Sequence, residues 1–194
     1  MPPSRAEMIE TTRAKLISAA RQAFRTSGYA ATSMDDFTAG AGLTRGALYH
    51  HFGDKKGLLA AVAEQIDGEM DHRLHEISRQ APDTWSAFRG RCRAYLEMAG
   101  EPEIRRIVLQ DARAVLGPVP AGAQQQCLSS LSALLQRLME EGVVEPADPP
   151  ALARLINGSL VDSAFWIAEE GESGARVEQA LEALDLLLRG LLRK

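Results

Sequence analysis

Residues 32–59 read TSMDDFTAGAGLTRGALYHHFGDKKGLL, and this spacing predicts two short helices around a glycine turn, then the start of a third. Thr32 and Ser33 stand where the first of these must begin. Ser33 with Asp36 three positions on is a loose capping box, Asp replacing the usual Glu or Gln. Phe37 is the apolar anchor, and Gly42 supplies the backbone freedom of a tight turn. Leu43 is expected to plug the core beneath that turn, and Thr44 to cap the next helix. This is the layout of a helix-turn-helix, whose second helix enters the major groove of DNA.

That second helix presents Thr44, Arg45, Gly46, Ala47, Tyr49 and His50 within two turns, with Leu48 and Phe52 pointing inward. Arg45 is the candidate for a bidentate contact to guanine O6 and N7, and Ala47 for a thymine methyl. Gly46 lets the helix backbone approach the duplex. Tyr49 and His50 suit phosphates. Lys55, behind the N-cap Asp54, reaches a phosphate with help from its helix N-terminus. The expected DNA-contacting set is therefore Thr32, Ser33, Thr44, Arg45, Gly46, Ala47, Tyr49, His50 and Lys55.

Helix periodicity dominates the rest of the chain, so an all-α fold of about nine helices is expected. A first helix runs from about Arg5 to Ser27, opened by Ser4 and Glu7 and stopped by Gly28. The helix from Lys55 carries Leu58, Leu59, Val62, Ile66, Met70, Leu74 and Ile77 and ends before Pro82. Further helices are expected over Thr84–Met98, Glu103–Leu116, Gln124–Glu141, Ala151–Glu169 and Ala175–Arg193. Loops fall at 117–122 and 146–150, where prolines cluster. The expected domains are 1–54, which reads DNA, and 55–194, which senses an effector and dimerises.

The last helix repeats Val177, Leu181, Leu184, Leu188 and Leu191 at four- and three-residue steps. Its neighbour offers small residues for close approach. The expected dimer seam joins these five to Leu160, Ser163 and Ile167 in an intermolecular four-helix bundle. For the effector pocket that the family resemblance given below implies, the candidates are apolar Trp85, Phe88, Met98, Leu116, Phe165 and Trp166 with polar Gln110, Asp111, Asn157 and Asp162. Arg113 stands two positions from Asp111, so at most one of the pair faces a cavity.

The net charge of −4 argues against DNA binding until it is divided. Residues 1–60 carry eight Lys/Arg against five Asp/Glu, and the remainder is acidic. The basic segment is the one with the motif, which orients the chain on a polyanion. No apolar run is long enough to span a membrane, and no secretory leader is evident. Cys92 and Cys127 do not make a disulfide framework, so a cytosolic protein associated with the nucleoid is expected.

Phe24, Gly28, Tyr29, Thr32, the Ala41-Gly42-Leu43 turn, Gly46, Leu48, Tyr49, Phe52, Lys55 and Leu58-Leu59 together resemble the DNA-binding domain of the tetracycline-repressor-like (TetR) family. The stretch EPEIRRIVLQDARAVLG, with the later WIAEEG and the leucine-rich last helix, is similar to one subgroup of its sensor domains. The resemblance implies a homodimer, a double-stranded operator, and a small, largely apolar effector bound between the fourth and eighth helices. It implies no cofactor. Two departures stand out: Thr38 replaces the usual alanine, and Gly40 weakens the second helix.

Two other classes are weighed. Glu69 and His72 have the spacing of half a di-iron bundle site, as an enzyme would need, but no second Glu-x-x-His pair accompanies them. His72 and His75 are better read as a solvated face. A DNA-binding protein without an effector is the third possibility.

Overall fold

Ser4 opens the first helix. Its Oγ accepts the Glu7 N–H while the Glu7 carboxylate takes the Ser4 N–H, the reciprocal cap that this spacing favours. In the computed structural model, which describes residues 4–40, 42, 44–117, 121–169 and 174–194, this helix, α1, spans Arg5–Ala31. It leaves helical geometry at Gly28, where φ is 77°. The stop read from the sequence is therefore a kink followed by one more turn.

Helices α2 (Met34–Gly40), α3 (Arg45–Phe52) and α4 (Lys55–Gln80) follow. Then come α5 (Thr84–Ala99), α7 (Ala121–Glu140), α8 (Pro149–Ala168) and α9 (Ala175–Arg189). Between α5 and α7, α6 is composite: Ile104–Ala112 is wound as a π-helix and Arg113–Leu116 as an α-helix. The fold is all-α, with nine helices among the described residues. The expected plain helix over Glu103–Leu116 is corrected by the π winding. Ile104 and Leu109, and Ile107 and Ala112, are each five apart and all four are buried. A π-helix bonds residue i to i+5, so its wider turn suits that spacing.

The prolines before α8 do not break it. Asp148 caps Ala151 N–H and Pro149 and Pro150 occupy the first turn, where a missing N–H costs nothing. The expected extension of α9 to Arg193 is corrected as well. The helix ends at Arg189, and the chain then pairs antiparallel with residues 143–145 through a Val144–Leu192 bridge. Glu145 N–H donates to Leu191 O and Arg193 N–H to Val143 O.

The chain divides into two compact units, Met1–Gly68 with Pro102–Gly117, and Glu69–Glu101 with Pro118–Lys194. Helix α4 contributes residues to both. In the first unit Leu16, Ala20, Phe24, Leu48, Leu58, Leu59 and Val62 are buried almost completely. α6 is held on α1 by a two-pronged pair, Arg21 Nε and Nη2 on the two Glu103 oxygens at 2.9 and 2.7 Å. In the second unit Phe88, Leu96, Leu135, Leu138, Ala153 and Leu188 form the centre of the core.

Two glycines of α4 answer differently to an added methyl. A Cβ at Gly57 meets the Phe52 carbonyl oxygen at 2.0 Å, a backbone atom that cannot step aside. A Cβ at Gly68 meets nothing within 4 Å. Gly57→Ala is expected to destabilise the protein by about 1–3 kcal/mol through overpacking. Gly68→Ala is expected to stabilise it by about 0.5–1 kcal/mol through helix propensity. Chemical denaturation of the two variants checks the pair, and equal signs would contradict the α3–α4 contact.

Candidate nucleic-acid interface

Three devices fix the corner from which α2 and α3 project. After the kink at Gly28, the Tyr29 N–H is taken by Asp111 Oδ2 at 2.8 Å. Thr32 donates its hydroxyl to the Gly28 carbonyl at 2.7 Å. Arg106 fills the space a Cβ at Gly28 would need and lies 3.5 Å from Asp111. Phe24 and Tyr29 rings then meet at 5.7 Å, and Phe37 and Leu48 bury the inner faces of α2 and α3.

Thr44 caps α3 by accepting the Ala47 N–H, and Gly53, at φ 77°, ends it. Asp54 Oδ1 accepts the Gly57 N–H and so starts α4 immediately. The turn Gly42 has φ 65°, which favours glycine there. Ala41, Leu43 and the Asp36 side chain, parts of the expected turn, core plug and capping box, lie outside the described residues. Thr38, the departure noted in the sequence, is buried and returns its hydroxyl to Met34 O, so it leaves no unpaired polar atom in α2. Gly40 is the last residue of α2, where its weak helix propensity matters little.

The outer face of α3 exposes Arg45, Gly46, Tyr49 and His50, with Thr44 and Ser33 exposed beside it and Ala47 half-buried. Arg45 is not loose. It pairs with Asp35 at 3.1 Å, and its guanidinium lies 5.9 Å from the Tyr49 ring centroid. Hydrogen bonding to Tyr49, then the Asp35 charge, hold its pKa above the ordinary arginine value. Gly46 is open: a Cβ there finds only Thr44 Oγ1, at 3.8 Å. Lys55 sits with Nζ 4.4 Å from the Tyr29 ring centroid, and burial lowers its pKa against the opposing charge of Asp111. Thr32 does not suit the expected DNA-facing set. It is buried, and both its N–H and its hydroxyl are spent on closing α1.

The expected pocket residues divide between the units. Gln110, Asp111 and Leu116 belong to the first. Gln110 is exposed, and Asp111 is committed to Tyr29, so Asp111 serves the α1 corner and not a cavity. Trp85, Phe88, Met98, Asn157, Asp162, Phe165 and Trp166 belong to the second. Phe88, Met98 and Asn157 are buried, with the Trp85 and Phe88 rings 6.0 Å apart. Asp162 is exposed, and Trp166 is an exposed aromatic beneath the Arg176 guanidinium. Sequence reasoning missed Arg91, which is buried at 3% exposure. The signal was present: it stands three after Phe88 and four before Tyr95, within the apolar stripe of α5.

The expected dimer seam is turned inward. Leu184 and Leu188 are buried within the chain, and Val177 packs on Gly100, where a Cβ would lie 2.8 Å from its methyl. Asp185 ties the same face to α5 through Arg89 at 2.9 Å and Arg93 at 2.6 Å. Leu160 and Ile167 are also buried, Leu181 is half-buried, and Leu191 lies beyond the helix. Ser163 instead lines a groove of about 220 Å³ between α8 and α9, with Ser159, Trp166, Ala183 and Leu187. Exposed large apolar groups in these helices are Leu155, Trp166, Leu186 and Leu187.

Among the described residues no group of three or more His, Cys, Asp or Glu is placed to hold a metal. Nor is any helix among the described residues long and apolar enough to cross a membrane.

Residues 16–62 match the family described as bacterial regulatory proteins, tetR family. Residues 85–191 match the tetracyclin repressor-like C-terminal domain. A TetR-family transcriptional regulator from Pectobacterium atrosepticum, known as a crystal structure, is 62% identical over 99% of both chains, with a TM-score of 0.92. The TetC protein of transposon Tn10 from Escherichia coli is 27% identical over 78% of each chain. The regulator TtgR of Pseudomonas putida is 41% identical over 66 residues, which are 34% of this chain and 31% of TtgR. The two family matches cover the helix-turn-helix and most of the second unit, and the fold and its open α3 face agree with them. The chain belongs to the TetR family of transcriptional regulators and is a DNA-binding regulator, not an enzyme.

Proposed function

We propose that the protein is a ligand-responsive repressor that occupies a palindromic operator as a homodimer and is released by a small, largely apolar molecule. The observation that carries this reading is the α3 face, where Arg45, Gly46, Tyr49 and His50 stand exposed on a helix capped at both ends. Arg45 reads guanine, Gly46 admits close approach, and Tyr49, His50 and Lys55 take phosphates. Ser33 and Thr44 flank them, and Ala47 meets a thymine methyl. The 1–54 segment is the reading head and 55–194 the effector-binding and dimerising part, working in the cytosol.

One reading helix covers one half-site, so a two-fold partner supplies the second, about 34 Å away. The dimer forms through α8 and α9, by the outward row Leu155, Trp166, Leu186 and Leu187 in place of the inward leucines. A mutually covered patch of this kind is self-complementary across a two-fold axis. Effector binding in the second unit shifts the population between states of different operator affinity.

Gly46→Ala separates DNA contact from folding. The protein itself has room for the methyl, so stability is expected to hold or rise slightly. Operator affinity is expected to fall at least about tenfold because the duplex backbone meets the new atom; that is roughly 1.4 kcal/mol. Arg45→Ala is expected to flatten base preference, whereas Lys55→Ala weakens all sequences alike and makes the salt dependence shallower. Selection on random DNA followed by titration of each variant measures all three, and a uniform loss for Arg45→Ala sinks the base assignment.

Leu187→Glu is expected to give a folded monomer by light scattering and circular dichroism. Leu184→Glu, buried within the chain, is expected to lose the fold instead. A Leu187→Glu protein that keeps dimer mass refutes the α8–α9 surface.

A further inference from the structure

Arg91 is the least ordinary group in the second unit. It is 3% exposed on α5, a helix that also buries Phe88, Cys92 and Leu96. An arginine keeps its charge under such burial, so its N–H groups require acceptors. Nη1 reaches Ser130 Oγ at 3.4 Å, the outer limit of a hydrogen bond. Nη2 lies 3.6 Å from Asp71 Oδ1, an ion pair without a hydrogen bond, and is buried with no acceptor among the described residues.

The nearby groups do not complete it. Asp71 is 43% exposed and shared with His75, whose Nδ1 lies 3.3 Å from its other oxygen. Cys127 donates its thiol to the buried Asn157 Oδ1 at 3.4 Å. Burial pushes the Cys92 thiol up to about 12, and it also raises Cys127, against the hydrogen bond and charge of the Arg91 guanidinium beside that sulfur. Both sulfurs therefore stay protonated near neutral pH, and neither offers Arg91 a negative charge. The Asn157 amide nitrogen carries two further donors. α4, α5, α7 and α8 thus bring a part-exposed carboxylate, a guanidinium, a hydroxyl, a thiol and an amide together.

We propose that this cluster is the effector's recognition site and that the effector is a carboxylate: a monoanion with an apolar body, its carboxylate held by Arg91. The proposal rests on the ligand-responsive reading above and names the ligand's chemical class. A planar guanidinium presents parallel N–H groups that match two carboxylate oxygens. A single buried cation, partly countered by Asp71, suits one negative charge and disfavours two. Phe88 and Tyr95, one turn either side of Arg91, supply apolar surface for the body.

The test uses the full chain with octanoate and phenylacetate, each against its neutral amide. Both acids are expected to raise the melting temperature and lower operator occupancy, with each amide at least about tenfold weaker. Arg91→Met is expected to abolish the response to acids and keep operator binding in their absence. If Arg91→Met does not fold, Arg91→Lys retains the charge without the fork and is expected to weaken both acids about tenfold.

Acids and amides binding equally, an undiminished response in the folded variant, or no shift from either acid each overturn the proposal. Acids that bind through Arg91 without changing operator occupancy uphold the site and refute the ligand-responsive reading instead.

Discussion

The kink at Gly28 is the constraint from which the DNA-reading half is built. Leaving helical geometry there frees one N–H and one carbonyl in a buried place, and each must find a partner. Asp111 takes the Tyr29 N–H and Thr32 takes the Gly28 carbonyl. Arg106 occupies the space that any larger residue would claim, and the Tyr29 ring turned out by the kink receives Lys55. One backbone conformation thereby fixes α1, α6 and the start of α4, and α2 departs from this corner. Glycine is required for its positive φ, and the flexible end of Arg106 uses the room its missing Cβ leaves.

This arrangement gives α6 a role in the first unit. Its π-wound stretch carries Ile107 and Ala112 toward the core while Glu103 and Asp111 hold α1 at two places eight residues apart. A π-helix has a near neighbour in the α register, one residue away. Anchors at both ends bind the stretch to its present winding. The segment lies between Glu101 and Pro118, where the chain leaves the second unit and returns to it.

Local chemistry made the motif legible. Caps at Ser4, Thr44 and Asp54, the glycine at 42, and the anchors Phe37 and Leu48 all act within a few residues of themselves. Partners far along the chain were hidden. Asp111 read as a polar pocket group because nothing local reveals Tyr29, 82 positions away. Thr32 read as a DNA contact because a hydroxyl at a helix start serves either purpose. The leucines of α9 gave a stripe, yet periodicity does not say what covers it. Its cover is α5, whose Arg89 and Arg93 pair with Asp185, three residues before Leu188. The π winding was invisible because its residues suit an α-helix equally well.

The pairing of Arg45 with Asp35 has a consequence for the search along a genome. Arg45, the proposed reading cation, already holds a carboxylate and leans on Tyr49. A random phosphate offers it only one anion in place of another, so sliding contacts gain little from this side chain. A guanine edge presents two acceptors in a plane, which Asp35 does not reproduce in its present geometry of 3.1 and 3.4 Å approaches to one nitrogen. On the proposed reading, the acid next to α3 is a resident competitor for the same guanidinium. DNA that draws Arg45 to itself must first part it from this carboxylate, an exchange that a two-acceptor guanine edge would reward more than a lone phosphate.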